Sequence, residues 1–202
     1  MLLEVNPDNP QSRLIKRVAE VLANGGVIAY PTDTTYGIGC SIFSKKGIEQ
    51  IYRIKQRDRK KPFSFICADQ AEVAKYAKVS NYAFKLMRRL LPGAYTFVLD
   101  ATSVVPDLLT TKQKTVGIRI PDNRICLAIV RELGHPIVTT SANLSGEDPI
   151  GDPLYIEHEL GSQLALVVDG GMLPPEVSSV VSLIGDQPVV LRHGIGDVSW
   201  CG

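Results

Sequence analysis

Ten consecutive residues, Arg53-Ile54-Lys55-Gln56-Arg57-Asp58-Arg59-Lys60-Lys61-Pro62, hold six cations and one acid. The whole chain balances Lys+Arg 22 against Asp+Glu 21, so this concentration is local. A dense cationic turn can gather polyphosphate or a nucleic-acid backbone by charge alone. It can equally be a solvated helix end, where Lys and Arg complement the negative end of the helix dipole. On composition the two readings stand even. The run has no aromatic stacking platform beside it, which argues against an RNA-reading surface.

Three further polar stretches each follow an apolar run: Thr32 to Gly39, the surroundings of Arg119, and Thr139 to Gly146. Ligands collect beyond strand ends in open α/β sheets, and hydroxyls, an amide and backbone N–H groups there can orient a small polar molecule. The same residue types also build ordinary capped turns. Arg119 lies between Ile118 and Ile120, where a guanidinium needs a partner or a pocket. An anion contact and a structural ion pair are both open for it. Nucleophile-elbow, His-Glu-x-x-His and P-loop patterns are absent from the sequence. Cations, hydroxyls and an amide suit chemistry that aligns reactants and neutralises phosphate charge, as in phosphoryl or nucleotidyl transfer.

The elements that must position these residues are readable from periodicity. Leu2 to Val5 is a short edge strand. Asn9-Pro10 starts a helix with proline at its first position, carried by Leu14, Ile15, Val18, Val21 and Leu22 and ended by Gly25-Gly26. Val27 to Tyr30 is a buried strand, and Pro31 to Gly39 a polar loop closed by two glycines. Ser44 caps a helix to about Ile54, Asp69 one through Tyr76, and Ser80 one through Leu91, broken by Pro92-Gly93. Phe63 to Cys67, Tyr95 to Leu99 and Thr115 to Ile120 read as strands. Asn123 caps a helix ending at Gly134, and Asp152-Pro153 starts the last. Leu166 to Val168, Val180 to Ile184 and Val189 to Arg192 are the remaining strands, with Gly185-Asp186 turning between the last two. The alternation predicts an α/β single domain over residues 1–202 with a twisted, open, mixed sheet and flanking helices. Its strand order is not readable from the chain.

At 202 residues, 45% hydrophobic and 21% charged, the composition is that of an ordinary soluble globule. The net charge of +1 sets up no global field for nucleic acid or membrane. Cys40, Cys67, Cys126 and Cys201 are scattered, as are His135, His158 and His193. That spacing offers no structural zinc pattern and reads as reduced thiols of a cytoplasmic protein. Neither a signal-peptide pattern nor an apolar run of about 18 residues is present, so membrane contact is not expected.

Six blocks together resemble the YrdC-like threonylcarbamoyl-AMP synthase family. They are Tyr30-Pro31-Thr32-Asp33-Thr34-Thr35-Tyr36-Gly37-Ile38-Gly39, Lys55-Gln56-Arg57 with Lys61, Pro92-Gly93-Ala94-Tyr95-Thr96, Gly117-Ile118-Arg119-Ile120-Pro121, Ser141-Ala142-Asn143-Leu144-Ser145-Gly146, and Leu191-Arg192-His193-Gly194. Taken in order they cover essentially the whole chain. Ala94 replaces a proline usual in its block, Asp58 stands where many members have proline, and Val177 to Ser182 only loosely matches a Ser-Thr-containing strand. Phe63-Ser64-Phe65-Ile66-Cys67 also resembles the YciO subgroup.

The resemblance implies a twisted α/β sheet around a positive cavity. It implies synthesis of threonylcarbamoyl-adenylate and pyrophosphate from L-threonine, bicarbonate and ATP, with Mg²⁺. A downstream transferase system would then modify tRNA, with tRNA or double-stranded RNA contact a further expectation. The chain looks like the short, single-domain form. By resemblance Lys55 and Arg57 are catalytic and contact nucleotide phosphate. Thr34, Tyr36, Lys61, Arg119 and Ser141 take threonine. Thr139, Asn143, Ser145 and Arg192 join Lys55 and Arg57 at ATP. The expected arrangement ends the helix near Ile54 and turns Lys55, Arg57 and Lys61 into a cavity, leaving Arg53, Arg59 and Lys60 solvated. On that arrangement Lys55→Ala removes turnover with little change in melting temperature. The alternative is a YciO-like nucleotide- or RNA-binding protein with weak or no synthase activity.

Overall fold

The computed structural model describes residues 1–56, 63–110, 113–143 and 146–201. Its elements in chain order are β1 (Leu2–Glu4), α1 (Ser12–Ala23), β2 (Ile28–Pro31), β3 (Tyr36–Ser41), α2 (Lys45–Lys55), β4 (Ser64–Ile66), α3 (Gln70–Tyr76) and α4 (Asn81–Leu90), followed by β5 (Tyr95–Asp100), β6 (Thr115–Arg119), α5 (Arg124–Leu133), β7 (Ile137–Ser141), α6 (Pro153–Leu160), β8 (Leu166–Asp169), β9 (Ser179–Ser182) and β10 (Val189–Arg192). None of the described helices is long and apolar enough to cross a membrane.

Local chemistry sets most of these boundaries. The side chains of Ser44, Asp69, Ser80, Asn123 and Asp152 each accept a backbone N–H of the first helical turn, which satisfies donors that the helix itself leaves free. Gly134 ends α5 at φ 77, a conformation a side chain resists. The start of α1 differs from expectation. Gln11 is its cap residue and Pro10 lies outside. Asn6 Oδ1 instead accepts from the N–H groups of Asp8 and Asn9, winding that segment into a turn of its own.

The strands form one mixed sheet in the order β1-β8-β2-β3-β7-β4-β6-β5-β9-β10. Chain order and spatial order diverge most at β8, which lies parallel between β1 and β2 although the sequence places it near the last strands. A second difference is β3. Tyr36 to Ser41 is not loop but the antiparallel partner of both β2 and β7, so the loop shrinks to Thr32 to Thr35. Two glycines in six residues mask the strand pattern there.

Alternation along each strand sorts side chains into two faces. On one face Tyr36, Ile38, Phe65, Val138, Ile118, Phe97 and Val181 pack under α2, α3, α4 and α6. On the other, Ile28, Tyr30, Ile66, Ile137, Leu166 and Val168 pack under α1 and α5. That second cover stops short. Over β4, β6, β5 and β9 the same face carries Ser64, Thr115, Gly117, Thr96 and Val180, and it is open.

Gly39 has no room for a side chain, since its Cβ would lie 2.5 Å from Ile137 Cγ2 and 2.6 Å from the Val138 carbonyl. Gly39→Val is expected to cost about 1–3 kcal/mol by overpacking. Chemical denaturation should show the loss, and an unchanged midpoint would contradict this packing.

Candidate functional site

The open part of the sheet face is the floor of a cavity of about 370 Å³, a size usual for small-molecule sites. Residues that pair directly across strands share a face, and Ser64 pairs with both Gly117 and Thr139. A Cβ on Gly117 would meet Ser64 Oγ at 2.7 Å, so glycine keeps the floor low at its centre. Hydroxyls of Ser64, Thr96, Thr115, Thr139 and Ser141 and the guanidiniums of Arg119 and Arg192 line it.

Arg119 ends β6 pointing onto this face and is 9% exposed. Its Nη2 donates to the Asp33 carboxylate, to Thr34 Oγ1 at 2.7 Å and to Thr32 Oγ1 at 3.4 Å. Its Nε is buried and without a hydrogen-bond partner. The ion-pair and cavity readings left open for this residue are therefore both realised: one edge is held by Asp33 and the group still lines the cavity. The loop that supplies Asp33 is itself tied down. Thr32 Oγ1 donates to the Thr35 carbonyl at 2.6 Å, and Asn123 Nδ2 donates to the Thr32 carbonyl at 3.1 Å.

Arg192 reaches the cavity from β10. Nε and Nη2 donate to the Ser178 carbonyl at 3.2 and 2.8 Å, and Nη2 also meets Ser178 Oγ at 3.2 Å. Ser178 Oγ is 3.0 Å from Thr96 Oγ1. Partial burial first, and the charge of Arg119 second, hold the Arg192 guanidinium below its ordinary pKa. Two guanidiniums thus sense one another across the floor, one of them paired with Asp33, and the positive charge left over favours an anionic occupant.

The other expected residues divide. Thr34, Thr139 and Ser141 line the cavity. Tyr36 also borders it, but its hydroxyl is spent on the wall: it donates to the Gly171 carbonyl at 2.8 Å and accepts the Gly170 N–H at 3.0 Å. Burial raises that phenol far above its usual pKa. Lys55 was expected to face the cavity and is instead 3% exposed and outside its described lining. As the last residue of α2, with Gln56 turning left-handed behind it at φ 46, it runs beneath the end of β7. Its Nζ donates to the Ser141 carbonyl at 2.8 Å, to Asn143 Oδ1 at 2.7 Å and to the Asn143 carbonyl. Ser141 Oγ donates to Asn143 Oδ1 at 2.5 Å, and Asn143 Nδ2 to the Glu147 carbonyl. Lys55 and Asn143 thus organise the turn after β7. Arg53 is exposed as expected. Arg57, Lys61 and Ser145, with Asp58, Arg59 and Lys60, lie outside the described residues.

Sequence reasoning passed over Asp33, Thr32, Thr96 and Ser178. Asp33 and Thr32 were inside the quoted Tyr30–Gly39 block, and Ser178 inside the loosely matching Val177–Ser182 stretch, but no spacing rule links them to Arg119 or Arg192. Among the described residues no group of three His, Cys, Asp or Glu side chains is placed to hold a metal ion.

Residues 20–194 match the Sua5_yciO_yrdC family, described as Telomere recombination. YciO of Escherichia coli (strain K12) is 43% identical over 196 residues, which are 96% of this chain and 95% of that protein. Its crystal structure has a TM-score of 0.95, with 42% identity and 98% of both chains covered. A threonylcarbamoyl-AMP synthase of Bacillus subtilis (strain 168) is 36% identical over 197 residues, 95% of this chain and 55% of the relative. The crystal structure of P. abyssi Sua5 complexed with L-threonine has a TM-score of 0.90 at 27% identity, covering 96% of this chain and 57% of that one. The α/β fold with an open mixed sheet is shared with both solved structures.

Two stability changes follow from the burial of these charges. Lys55→Ala leaves the Ser141 and Asn143 oxygens without their cationic donor, and is expected to cost on the order of 3 kcal/mol. That replaces the expectation of a little-changed melting temperature, and a thermal melt decides between them. Asp33→Ala strands a guanidinium whose pair was about nine-tenths buried and should cost roughly 3–5 kcal/mol in chemical denaturation. A loss below about 1 kcal/mol, the usual worth of a surface pair, would mean water reaches Arg119 freely.

Proposed function

The chain belongs to the Sua5/YciO/YrdC family, and from that premise we propose that it is an L-threonylcarbamoyladenylate synthase. As a nucleotidyltransferase it forms threonylcarbamoyl-AMP and pyrophosphate from L-threonine, bicarbonate and ATP, and its product serves a transferase system that modifies tRNA. The observation that carries the reading is the placement of Arg119 and Arg192 on one hydroxyl-lined sheet face. That arrangement suits a bound molecule with more than one anionic group.

The chemistry asks for alignment and charge neutralisation. Threonine's amino nitrogen adds to the carbon of bicarbonate with loss of water, giving a carbamate. A carbamate oxygen attacks the α-phosphorus of ATP, the α–β phosphoanhydride bond breaks, and pyrophosphate leaves. A covalent protein intermediate is not required. Arg119 meets the threonine carboxylate, with Thr34 and Ser141 beside it, and Tyr36 shapes that end as a wall. Thr139 borders the adenylate side, Asn143 joins it by family resemblance, and Arg192 neutralises phosphate charge. Arg57, Lys61 and Ser145 join these roles by family resemblance. Mg²⁺ enters with ATP as part of the substrate.

A second reading, a YciO-like nucleotide- or RNA-binding protein with weak or no synthase activity, is favoured by the higher identity to YciO (43%) than to the synthase (36%). One assay separates the two. Protein incubated with ATP, Mg²⁺, bicarbonate and threonine is expected to release pyrophosphate only when threonine is present, with the adenylate visible by mass spectrometry. Absence of threonine-dependent pyrophosphate sinks the synthase reading. RNA that binds by backbone charge alone should be released steeply as salt rises.

A further inference from the structure

Tyr30 belongs to β2, yet its hydroxyl hydrogen-bonds to Thr139 on β7, and β3 runs between the two strands. Neighbouring strands lie about 4.8 Å apart, so the ring has to lie across β3 to make this contact. Two glycines clear its path. A Cβ on Gly37 would sit 3.2 Å from Tyr30 Cζ and 3.1 Å from Thr139 Oγ1, and one on Gly39 would sit 2.9 Å from Tyr30 Cε1. The paired glycines of the Tyr30–Gly39 block therefore form a bed for an aromatic side chain that spans a strand. Tyr30 marks the border between the apolar layer under α1 and α5 and the open cavity that Thr139 lines.

The protons can be placed by elimination. Tyr30 is fully buried, and its hydroxyl has Thr139 Oγ1, at 2.5 Å, as its acceptor. Burial raises the phenol well above its usual pKa, so it keeps the proton that this contact donates. A threonine hydroxyl carries one proton and accepts through its lone pairs. Having accepted from Tyr30, Thr139 has its own proton left to give, and no described residue accepts it. Its backbone is engaged in the sheet between β3 and β4.

We propose that Tyr30 is a positioning residue for the cavity: by donating to Thr139 it commits the Thr139 hydroxyl to donate to an oxyanion oxygen of the bound ligand. This deepens the synthase reading and rests on the cavity being its ligand site. The oxyanion can be a phosphate of the nucleotide or the carboxylate of threonine, and separate titrations tell them apart.

The test is a double-variant cycle read by titration calorimetry with MgATP, inorganic pyrophosphate and L-threonine in separate experiments. Tyr30→Phe keeps the ring on its glycine bed and removes only the hydroxyl. It should weaken at least one of these ligands by roughly fivefold, the worth of one ordinary hydrogen bond. Thr139→Val should weaken the same ligand by a similar factor, the double variant should lose no more than either alone, and Thr139→Ser should retain wild-type affinity. Losses that multiply in the double variant, or a Tyr30→Phe protein whose melting temperature falls while every affinity holds, overturn the proposal. Wild-type protein that binds none of the three ligands overturns it together with the cavity assignment. Binding without threonine-dependent pyrophosphate overturns the synthase reading alone, and the cycle still decides the role of Tyr30.

Discussion

A guanidinium on the floor of a β-sheet has to be surrounded by oxygens, because its own strand's backbone is already committed to the ladder. Arg119 meets this demand through a single loop. Asp33, Thr34 and Thr32 all converge on its Nη2, and Asn123, which caps α5, holds the same loop through the Thr32 carbonyl. The hairpin between β2 and β3, the start of α5 and the end of β6 are thereby tied at one point. What Asp33 leaves unsatisfied, the buried Nε, lies on the cavity's charged group. A side chain that lines the cavity is thus also the one that ties these three segments together.

The rest of the cavity follows from the pleat. Side chains that alternate along one strand must match those alternating along the next, so the face built from Ile28, Ile66 and Ile137 under the helices continues as Ser64, Thr96 and Gly117 beyond them. One sheet face is consequently core at one end and open cavity at the other. Small polar residues on that second part are compatible with burial on the opposite face, because Phe65, Phe97 and Ile118 carry the packing there. The hydrophobic layer beneath supports the polar layer above without sharing any side chain with it.

Charge placement separates two kinds of cation that look alike in the chain. Arg192 rests against the Ser178 carbonyl while keeping exposed surface, whereas the Lys55 ammonium is enclosed by oxygens of the turn after β7. A planar guanidinium can be held along one edge and still present another, while a buried ammonium with its donors taken has little left to offer a ligand. The difference explains why Arg192 lines the cavity and Lys55 braces it.

Much of this protein was legible in its residues. Four helix caps, Ser44, Asp69, Ser80 and Asn123, were read from single side chains, since a Ser, Asp or Asn beside the first turn acts within four residues. Continuous apolar runs likewise marked β2 and β8, which are buried on both faces. The polar stretches Thr32 to Gly39 and Thr139 to Gly146 also pointed to the cavity that Thr34, Thr139 and Ser141 line. Interactions that join distant segments were not legible. Nothing in the chain places β8 between β1 and β2, reveals β3 beneath two glycines, or pairs Asp33 with Arg119 across 86 residues. The direction of Lys55 was likewise decided by the left-handed turn at Gln56 and by oxygens 86 and 88 residues away. Local chemistry is written in neighbours and can be read from them. Strand order, and the partners of buried charges, come from the contest among distant surfaces for the same core, which only the tertiary structure resolves.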